Sequence, residues 1–255
     1  MVFSIITVTY NAASVLERTM DSVFQQTHSG IEYIIIDGNS NDETLSLIKK
    51  RAQESENKSG LAFKWISESD NGIYDAMNKG LSIATGDYIC FLNAGDGFQN
   101  SSILANLAEK LKLDQLPDII YGETDLINSD GEVFSARRLK APQKLTWKSF
   151  RMGMLVCHQA FIVKRNIAPE YDLQYHFSAD FDWCIRCMKI AESIVNSNLR
   201  LIKYQYEGAT TANRKASLKE RYKIMCKYYG TFVTMNLHLW FAIRFYWAKI
   251  FSNNS

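Results

Sequence analysis

The sequence has few of the residues that mark disulfide-bonded or membrane-spanning proteins. Only three of its 255 residues are proline, and its five cysteines form an odd, scattered set. Such a set argues against a disulfide scaffold and for a reducing compartment. No stretch reaches the roughly 20 apolar residues that span a bilayer, and the first residues lack the basic leader of a signal peptide. We therefore expect a cytoplasmic protein.

A metal or redox site based on cysteine is also not expected. Cys184 and Cys187 form one C-x-x-C pair inside a helical pattern. A zinc site of this kind needs a second pair of ligands, which the sequence does not supply.

Charge is nearly balanced in total but unevenly distributed along the chain. The 29 basic and 27 acidic side chains give a formal net charge of +2, which argues against a nucleic-acid partner. Residues 198–255 carry ten Lys or Arg and two Asp or Glu, whereas residues 1–197 carry nineteen and twenty-five. The chain therefore has an acidic body followed by a basic segment.

The first half of the chain alternates apolar runs typical of buried strands with stretches of helical spacing. The predicted strands are Val2–Val8, Ile31–Ile36, Leu61–Ile66 and Tyr88–Leu92, with a fifth starting at Asp118–Tyr121. The predicted helices are Ala13–Gln25, Asp42–Ala52, Tyr74–Ala84 and Ser102–Leu113. This order predicts an α/β fold with a Rossmann-like, mostly parallel sheet flanked by helices.

The pattern changes after residue 122. The segment Ile127–Phe134 predicts a hairpin with an Asp-Gly turn. Helical spacing returns at Asp180–Ile190, and the chain from Ser217 onward predicts two helices. We therefore expect a helical extension at the C-terminus.

Polar residues follow each predicted strand of the first half. In an open α/β sheet, ligands bind beyond the carboxyl ends of the strands. Any one of these residues could serve as a turn or helix cap, but the whole set predicts a binding site. The strand ends carry Thr9–Asn11, Asp37, Glu68–Asp70, Asn93–Asp96, and Glu123 with Asp125.

The chemistry of these strand ends favours a divalent cation and a diphosphate. No G-x-G-x-x-G and no Walker loop follows the first strand, which argues against a Rossmann dehydrogenase and a phosphate-loop NTPase. Carboxylate and amide oxygens are ligands that Mg²⁺ and Mn²⁺ prefer.

These motifs resemble, in order and spacing, those of the family 2 glycosyltransferases. The matching segments are SIITVTYN (Ser4–Asn11), SVFQQT (Ser22–Thr27), IEYIIIDGNSNDET (Ile31–Thr44), SESDNGIYDAMNKG (Ser67–Gly80) and ATGDYICFLNAGD (Ala84–Asp96). HQAFIVKR (His158–Arg165) and SADFDWCIR (Ser178–Arg186) extend the similarity to about residue 190. The resemblance implies a glycosyltransferase-A fold. It also implies transfer of a sugar from a nucleotide-sugar donor to an acceptor hydroxyl, with inversion at the anomeric carbon.

The resemblance also implies which residues bind the donor. The implied nucleotide-sugar-binding residues are Thr9, Tyr10, Asn11, Asp37, Asp70, Asp75, Asn78 and Asn93. Asn93–Asp96 occupies the place of the family's D-x-D metal motif but departs from it. Asn93 and Gly95 stand where the two Asp residues would be, and Asp96 is the remaining candidate ligand for Mg²⁺ or Mn²⁺.

The segment SADFDW resembles the acidic pair that supplies the family's general base. Ala179 replaces the usual first acid, and Asp180 stands at the position of the base. Asp182 follows two residues later, and residues two apart on a helix do not share a face, so only one should reach the acceptor. Asp182 and His158 are further candidates for contact with the acceptor or the diphosphate, and His158 also for contact with the metal. Arg137, Arg138 and Lys140 either contact the donor phosphates or form a solvated charge run, which is the more common role of such a cluster.

The resemblance divides the chain into a catalytic domain and a tail. Residues 1–215 are the catalytic domain, with a nucleotide-binding half at 1–122 and an acceptor half at 123–215. Residues 216–255 form a basic, aromatic helical tail. In it Val233, Leu237, Trp240, Trp247 and Ile250 recur at helical spacing, with Arg244 and Lys249 among them.

That tail pattern fits an interfacial helix on an anionic membrane. It fits equally a helix packed on the domain or on a second subunit, and the oligomeric state stays open. The implied partners are a nucleotide sugar and a saccharide or lipid-linked saccharide. The expected setting is bacterial surface polysaccharide or glycolipid assembly, at the inner face of the membrane.

Two alternatives belong to other functional classes. A nucleotidyltransferase should carry a Gly-rich, basic loop after its first strand, but this chain has TYNAAS there. A non-catalytic subunit that binds sugar nucleotides is suggested by Ala179 and by the altered D-x-D segment. Saturable binding of a sugar nucleotide without its turnover would identify such a subunit.

Overall fold

A computed structural model describes residues 1–111, 116–206 and 213–252. Its strands are β1 (Phe3–Thr9), β2 (Ile31–Asp37), β3 (Leu61–Ser67), β4 (Tyr88–Phe91), β5 (Gly97–Phe98), β6 (Ile119–Ile127), β7 (Val133–Ala136), β8 (Phe161–Lys164) and β9 (Ile194–Gln205). Its α-helices are α1 (Ala13–Phe24), α2 (Thr44–Ser55), α3 (Ile73–Ile83), α4 (Ile103–Leu111), α5 (Ala179–Ile190), α6 (Arg214–Tyr229) and α7 (Thr231–Ser252). Short 3₁₀ helices span Trp147–Met152, His158–Ala160 and Arg165–Ile167.

The nine strands of the described residues form one mixed sheet, in the order β3-β2-β1-β4-β8-β6-β9-β5, with β7 paired to β6. The first four strands in this order are parallel, and β6 and β9 are parallel to each other. The strand β8 runs antiparallel between β4 and β6. Because β6 and β9 continue the same sheet, the two sequence halves share a single layer.

The apolar runs of the first half form the centre of the fold. Every residue of β1, β2 and β4 is buried, as expected for parallel strands covered on both faces. The helix α3 lies close to β1, since a Cβ on Gly80 would come within 2.5 Å of Ile6 Cγ2. This close approach fixes the helix that carries two of the predicted site residues, Asp75 and Asn78.

The predicted elements of the first half agree closely with the structure. Strands β1 to β4 begin and end within one residue of the predicted bounds, and the predicted α/β architecture is confirmed. The predicted hairpin is also present, as β6 and β7. The helix predicted at Ser102–Leu113 begins one residue later, and its last two residues lie outside the described ranges.

The predicted end of the fifth strand was wrong. The strand β6 continues to Ile127 because it pairs with β7 and β9, so Glu123 and Asp125 lie inside it. Glu123 accepts a hydrogen bond from the Ala141 amide, and Asp125 pairs with Arg200. Neither residue stands at a strand end.

The last two helices differ in their surroundings. Ile224, Met225 and Tyr229 of α6 are buried against the body of the protein. Leu237 and Phe241 of α7 pack inward, whereas Val233, Trp240 and Trp247 of the predicted apolar row are exposed. The side chains of Lys249 and Ile250 lie outside the described residues. Within the described ranges, no helix has both the length and the apolar character needed to cross a membrane.

Candidate functional site

A first cleft of about 630 Å³ opens at the carboxyl ends of β1 and β4. The loop before α3 forms one wall, and the end of β9 forms another. The lining residues are Val8, Thr9, Tyr10, Asn11, Ala12, Ser14, Val15, Asp70, Gly72, Ile73, Ala76, Asn93, Ala94, Asp96, Gln159, Tyr204 and Gln205. Five of the eight predicted donor-binding residues and the predicted metal ligand therefore lie together.

The end of β1 and the loop after it supply three of these residues. Tyr10 is 63% exposed, whereas Thr9 is buried and its Oγ1 has no hydrogen-bond partner. Asn11 adopts a left-handed backbone conformation with φ of 47°. Its backbone amide donates to Ser40 Oγ over 2.8 Å, and its side chain accepts from the Asn41 amide over 2.9 Å. These bonds hold the loop in place against the loop after β2.

Asp70 enters the first cleft, whereas Asp37 lies behind it. Asp70 Oδ1 accepts from the Gly72 amide over 2.9 Å. Asp37 is fully buried at the end of β2 and accepts from Ser40 and Ser67. Between the two acids, a Cβ on Gly38 would come within 2.5 Å of Asp70 Oδ2. Asp37 thus supports the loop beneath Asp70 and does not line the cleft.

Asp75 and Asn78 of α3 also lie outside the first cleft. Asp75 Oδ2 accepts from the Asn71 amide over 2.9 Å, which closes the turn before the helix. Asn78 donates to the Tyr171 carbonyl over 3.0 Å and accepts from the Tyr171 amide over 2.6 Å. Both ends of the Asn78 amide are therefore occupied by a bridge from α3 to the second half of the chain.

Asp96 is buried in the turn between β4 and β5. Its Oδ2 accepts from Gln159 Nε2 and its Oδ1 from the Gln205 amide, both over 2.9 Å. Burial outweighs these two hydrogen bonds and raises the pKa of Asp96 to about 7. An approaching cation would favour the ionised form.

The donor set fits one divalent cation that keeps substrate and water ligands. Among the described residues, no group of three or more His, Cys, Asp or Glu side chains could hold a metal alone. However, Asn93 Oδ1 is buried without a hydrogen-bond partner, and Asn93 and Asp96 line the same cleft. Magnesium sites commonly use one or two protein oxygens together with substrate phosphates and waters. Asn93 and Asp96 meet that requirement.

A second cleft of about 380 Å³ adjoins the first. Ile73, Asn93, Gln159 and Tyr204 line both clefts, so the two meet along these side chains. The remaining lining residues are Tyr74, Met77, Leu126, Arg137, Arg138, Leu139, Met154, Cys157, His158, Asp180, Tyr206 and Arg221. A ligand in each cleft would therefore come close to the other.

Asp180 stands in the first turn of α5 and faces the second cleft. Its Oδ1 accepts from the Phe181 amide over 2.8 Å and from the Tyr74 hydroxyl over 3.2 Å. Tyr74 comes from α3, so this bond joins the two halves of the chain. The other carboxylate oxygen has no hydrogen-bond partner among the described residues.

Asp182 is separated from the clefts by its place on the helix. It is fully buried and accepts from Arg186 over 2.6 Å, Lys227 over 3.0 Å and Tyr228 over 2.8 Å. Its Oδ1 therefore ties α5 to α6, and its Oδ2 binds Arg186 of α5 itself. The predicted contact of Asp182 with acceptor or diphosphate has no support in this geometry.

His158 lines the second cleft from within an aromatic cluster. Its ring stacks on Phe91 at 5.1 Å and contacts Trp183 edge-on at 5.5 Å. Its Nε2 lies 2.6 Å from the Tyr171 hydroxyl. Burial lowers the pKa of His158 to about 4, so the imidazole is neutral at physiological pH.

Several lining residues escaped the sequence analysis. Gln159 and Gln205 bind Asp96, and Tyr204 stands between the clefts. Gln159 follows the predicted His158 directly and could have been noted. Gln205 and Arg221 lie in segments that carry no motif, so only the fold brings them to the clefts.

Known sequences are similar to this chain over most of its length. The family described as glycosyl transferase family 2 matches residues 4–171. A PGL/p-HBAD biosynthesis glycosyltransferase of Mycobacterium bovis is 34% identical over 194 residues, which cover 72% of this chain and 69% of that protein. The amylovoran biosynthesis glycosyltransferase AmsB of Erwinia amylovora is 30% identical over 204 residues, covering 76% and 66%.

Solved structures share the fold at low sequence identity. Staphylococcus aureus TarS 1-349 in complex with UDP-GlcNAc has a TM-score of 0.67 and 18% identity. The mannosyltransferase PcManGT of Pyrobaculum calidifontis, in complex with GDP-Man and Mn²⁺, has a TM-score of 0.64 and 16% identity. Each likeness covers 88% of this chain but only 64% and 63% of the solved chains. The chain thus spans a little under two thirds of their length.

Proposed function

Since the chain belongs to glycosyl transferase family 2, we propose that it transfers a sugar from a nucleotide-sugar donor to an acceptor hydroxyl, with inversion at the anomeric carbon. The acceptor is a saccharide or lipid-linked saccharide of bacterial surface polysaccharide or glycolipid assembly. The named relatives act in glycan biosynthesis and are similar over about 70% of this chain, which supports the setting.

One observation carries the proposal: the two clefts meet at Asn93 and Gln159, and the Asp180 carboxylate lines the second cleft but not the first. We assign the first cleft to the donor because it holds the strand-end loops. The second cleft then takes the acceptor. Direct displacement needs the attacking hydroxyl and the anomeric carbon at the junction of two such sites.

Asp180 is the proposed general base. Inversion in one step requires a group that takes the acceptor proton as its oxygen attacks the anomeric carbon. Asp180 has a carboxylate oxygen open to the second cleft, while the Tyr74 hydroxyl and the Phe181 amide hold the other. His158 shapes the cleft wall, because its Nε2 is engaged by the Tyr171 hydroxyl and burial lowers the pKa of its imidazole to about 4, which makes it a weak base.

Asn93 and Asp96 are the proposed holders of Mg²⁺ or Mn²⁺. When bound, the cation would neutralise charge on the departing nucleoside diphosphate. Gln159 and the Gln205 amide orient the Asp96 carboxylate. Asp37, Asp75 and Asn78 act on the donor through the loops that they support.

We also propose a division of the chain into donor-binding and acceptor-binding parts and a membrane contact for its tail. Residues 1–122 and 123–215 would bind donor and acceptor, and 216–255 would contact the cytoplasmic face of a membrane. Exposed Lys215, Lys219 and Lys223 repeat every fourth residue along α6, and α7 exposes a large apolar surface. Positive charge beside exposed apolar side chains fits an anionic membrane surface.

Donor binding is tested by thermal unfolding with UDP-, GDP- and dTDP-sugars, with and without Mn²⁺. At a hundredfold excess over Kd, a ligand that binds only the folded state adds about 2.7 kcal/mol and raises Tm by several degrees. The neighbours hold UDP-GlcNAc and GDP-Man, so those two sugars are tried first. If none of the sugar nucleotides raises Tm, the assignment of the first cleft fails.

Catalysis is tested with Asp180→Asn. The amide cannot take the proton, and a general base contributes roughly 10²- to 10⁴-fold to the rate. We expect kcat to fall by that factor while the Kd of the donor stays within twofold. Full transfer activity in this variant would rule out Asp180 as the base. Donor binding without turnover in the wild type would instead identify a non-catalytic subunit.

A further inference from the structure

The second cleft has an excess of positive charge. Three of its lining side chains are arginine, namely Arg137, Arg138 and Arg221, and Asp180 is the one carboxylate among its lining residues. Within the described part of the chain, none of the three arginines forms an ion pair. Since charges inside a partly enclosed site are normally compensated, this cleft suits an anionic ligand.

Two of the three guanidinium groups are held in position by the protein. Arg137 donates to the carbonyls of Leu139 over 3.3 Å, Leu155 over 3.1 Å and Met154 over 2.7 Å. Arg221 lies over the Phe181 ring at 5.8 Å, and its Nε is buried without a hydrogen-bond partner. A buried donor that lacks a partner in the protein fits a ligand oxygen.

Arg221 comes from α6, outside the segment matched by the family. The helix is fixed there by Glu220, which accepts from the His176 and Phe177 amides over 2.9 and 2.8 Å. Lys227 and Tyr228 of the same helix bind the buried Asp182. The position of Arg221 in the cleft is therefore a built feature of this chain.

We propose that Arg137, Arg138 and Arg221 form a binding site for a phosphate or diphosphate group carried by the acceptor. The proposal rests on the proposed function, because it takes the second cleft as the acceptor site. Guanidinium groups match phosphate oxygens in charge and in bidentate geometry. The mouth of the cleft adds apolar surface, since Tyr206 is 57% exposed and contacts Phe134 edge-on at 5.9 Å. An acceptor with an anionic group beside an apolar or sugar portion matches both features.

The other source of such a phosphate is the donor. None of the three arginines lines the first cleft, where the candidate cation ligands Asn93 and Asp96 lie. The diphosphate of a donor held by those ligands therefore has its own charge partner. The three arginines are left for an anion that enters beside Asp180.

The test measures binding of inorganic pyrophosphate by calorimetry at fixed salt, with the same excess of Mn²⁺ in every titration. One titration uses the free protein. The other uses protein saturated with the nucleoside diphosphate of the nucleotide sugar that raises Tm. The variants are Arg138→Gln and Arg221→Gln, and Arg138 is exposed, so its replacement should not disturb folding. Lys140→Gln is the matched control, because it removes one charge nearby from a residue that does not line the cleft.

We expect pyrophosphate to bind the nucleotide-saturated protein. Each arginine variant should weaken that binding at least tenfold, with the nucleotide Kd within twofold of wild type, and Lys140→Gln should change neither. Loss of nucleotide affinity in the arginine variants would assign them to the donor and overturn the proposal. Absence of pyrophosphate binding to the wild type would also overturn the proposal. If pyrophosphate binds but no nucleotide does, the proposed function fails, and the acceptor assignment fails with it.

Discussion

At the scale of single residues, Asp180 and Asp182 show how two neighbouring acids take different roles. They lie two positions apart on α5, about 200° around the helix axis at 3.6 residues per turn. Asp180 faces the second cleft, and Asp182 faces Arg186, Lys227 and Tyr228 in the interior. The spacing predicts that only one can reach a substrate, but the surroundings that assign the roles come from α3 and α6.

A second property of single residues is the neutral state of His158. Burial lowers its pKa to about 4, whereas an unfolded histidine titrates near 6.5. The folded state therefore keeps the full stabilising contribution of His158 above pH 6.5. That contribution is lost as pH falls toward 4, because the unfolded state takes up a proton on this histidine before the folded state does. Between pH 7 and 5 we expect the wild type to lose about 2 kcal/mol of unfolding free energy relative to His158→Gln.

Urea unfolding of both proteins at pH 7 and pH 5 measures this difference. Comparing the two proteins matters, because burial raises the pKa of Asp96 to about 7 and so gives the opposite slope in the same pH window. The Asp96 contribution is common to both proteins and cancels. A stability difference that stays constant between the two pH values would contradict a neutral, buried His158.

At the scale of elements, α5 and α6 are joined through Asp182. Its carboxylate is fully buried and accepts from two cations and one hydroxyl. We expect Asp182→Asn to lower the free energy of unfolding by about 3 kcal/mol, because it removes the charge from a buried, multiply bonded group. Chemical denaturation at pH 7 measures the change.

Asp180→Asn is the matched control, since it makes the same chemical change two residues earlier on the same helix. It should cost less than about 1 kcal/mol, because Asp180 is only half-buried. Asp182→Asn should therefore lower the free energy of unfolding strongly, whereas Asp180→Asn should lower kcat with little change in stability. If Asp182→Asn unfolds like the wild type, the bond between α5 and α6 is not a source of stability.

The strands of the first half could be predicted to within one residue because each is a short, mainly apolar run, interrupted only by single polar or charged residues such as Glu32 and Lys64. The strand β9 has no such run: its sequence IVNSNLRLIKYQ contains three polar residues in succession, and Asn198 has φ of 54°. Local reasoning therefore predicted no strand there. The same strand ends at Gln205, whose amide binds Asp96 across 109 positions of sequence. Such a contact depends on the pairing of β9 with β6, which no motif predicts.

At the scale of the whole molecule, the basic segment of the sequence has two distinct parts. Most of its charge lies on α6, including Arg221 in the second cleft and the exposed Lys215, Lys219 and Lys223. Most of its exposed apolar surface lies on α7, where Phe232, Met235 and Leu239 are exposed by 75%, 54% and 61%. A truncated protein that lacks residues 217–255 would therefore lose not only α7 but also the side chains of α6 that pack against the rest of the fold. Point substitutions on each helix are the better test.

The membrane proposal predicts that both helices contribute to binding, by different forces. Phe232→Ser, Met235→Ser and Leu239→Ser together should weaken pelleting with phosphatidylserine vesicles by roughly 3 kcal/mol at any salt concentration, since partial burial of each side chain contributes roughly 1 kcal/mol. Lys215→Gln, Lys219→Gln and Lys223→Gln together should weaken it by roughly 3 kcal/mol at low salt and much less at high salt. Leu173→Ser with Val195→Ser, exposed apolar positions elsewhere, is the control and should pellet like the wild type. A wild type that stays in the supernatant, or an α7 variant that pellets as strongly as the wild type, would overturn the membrane proposal.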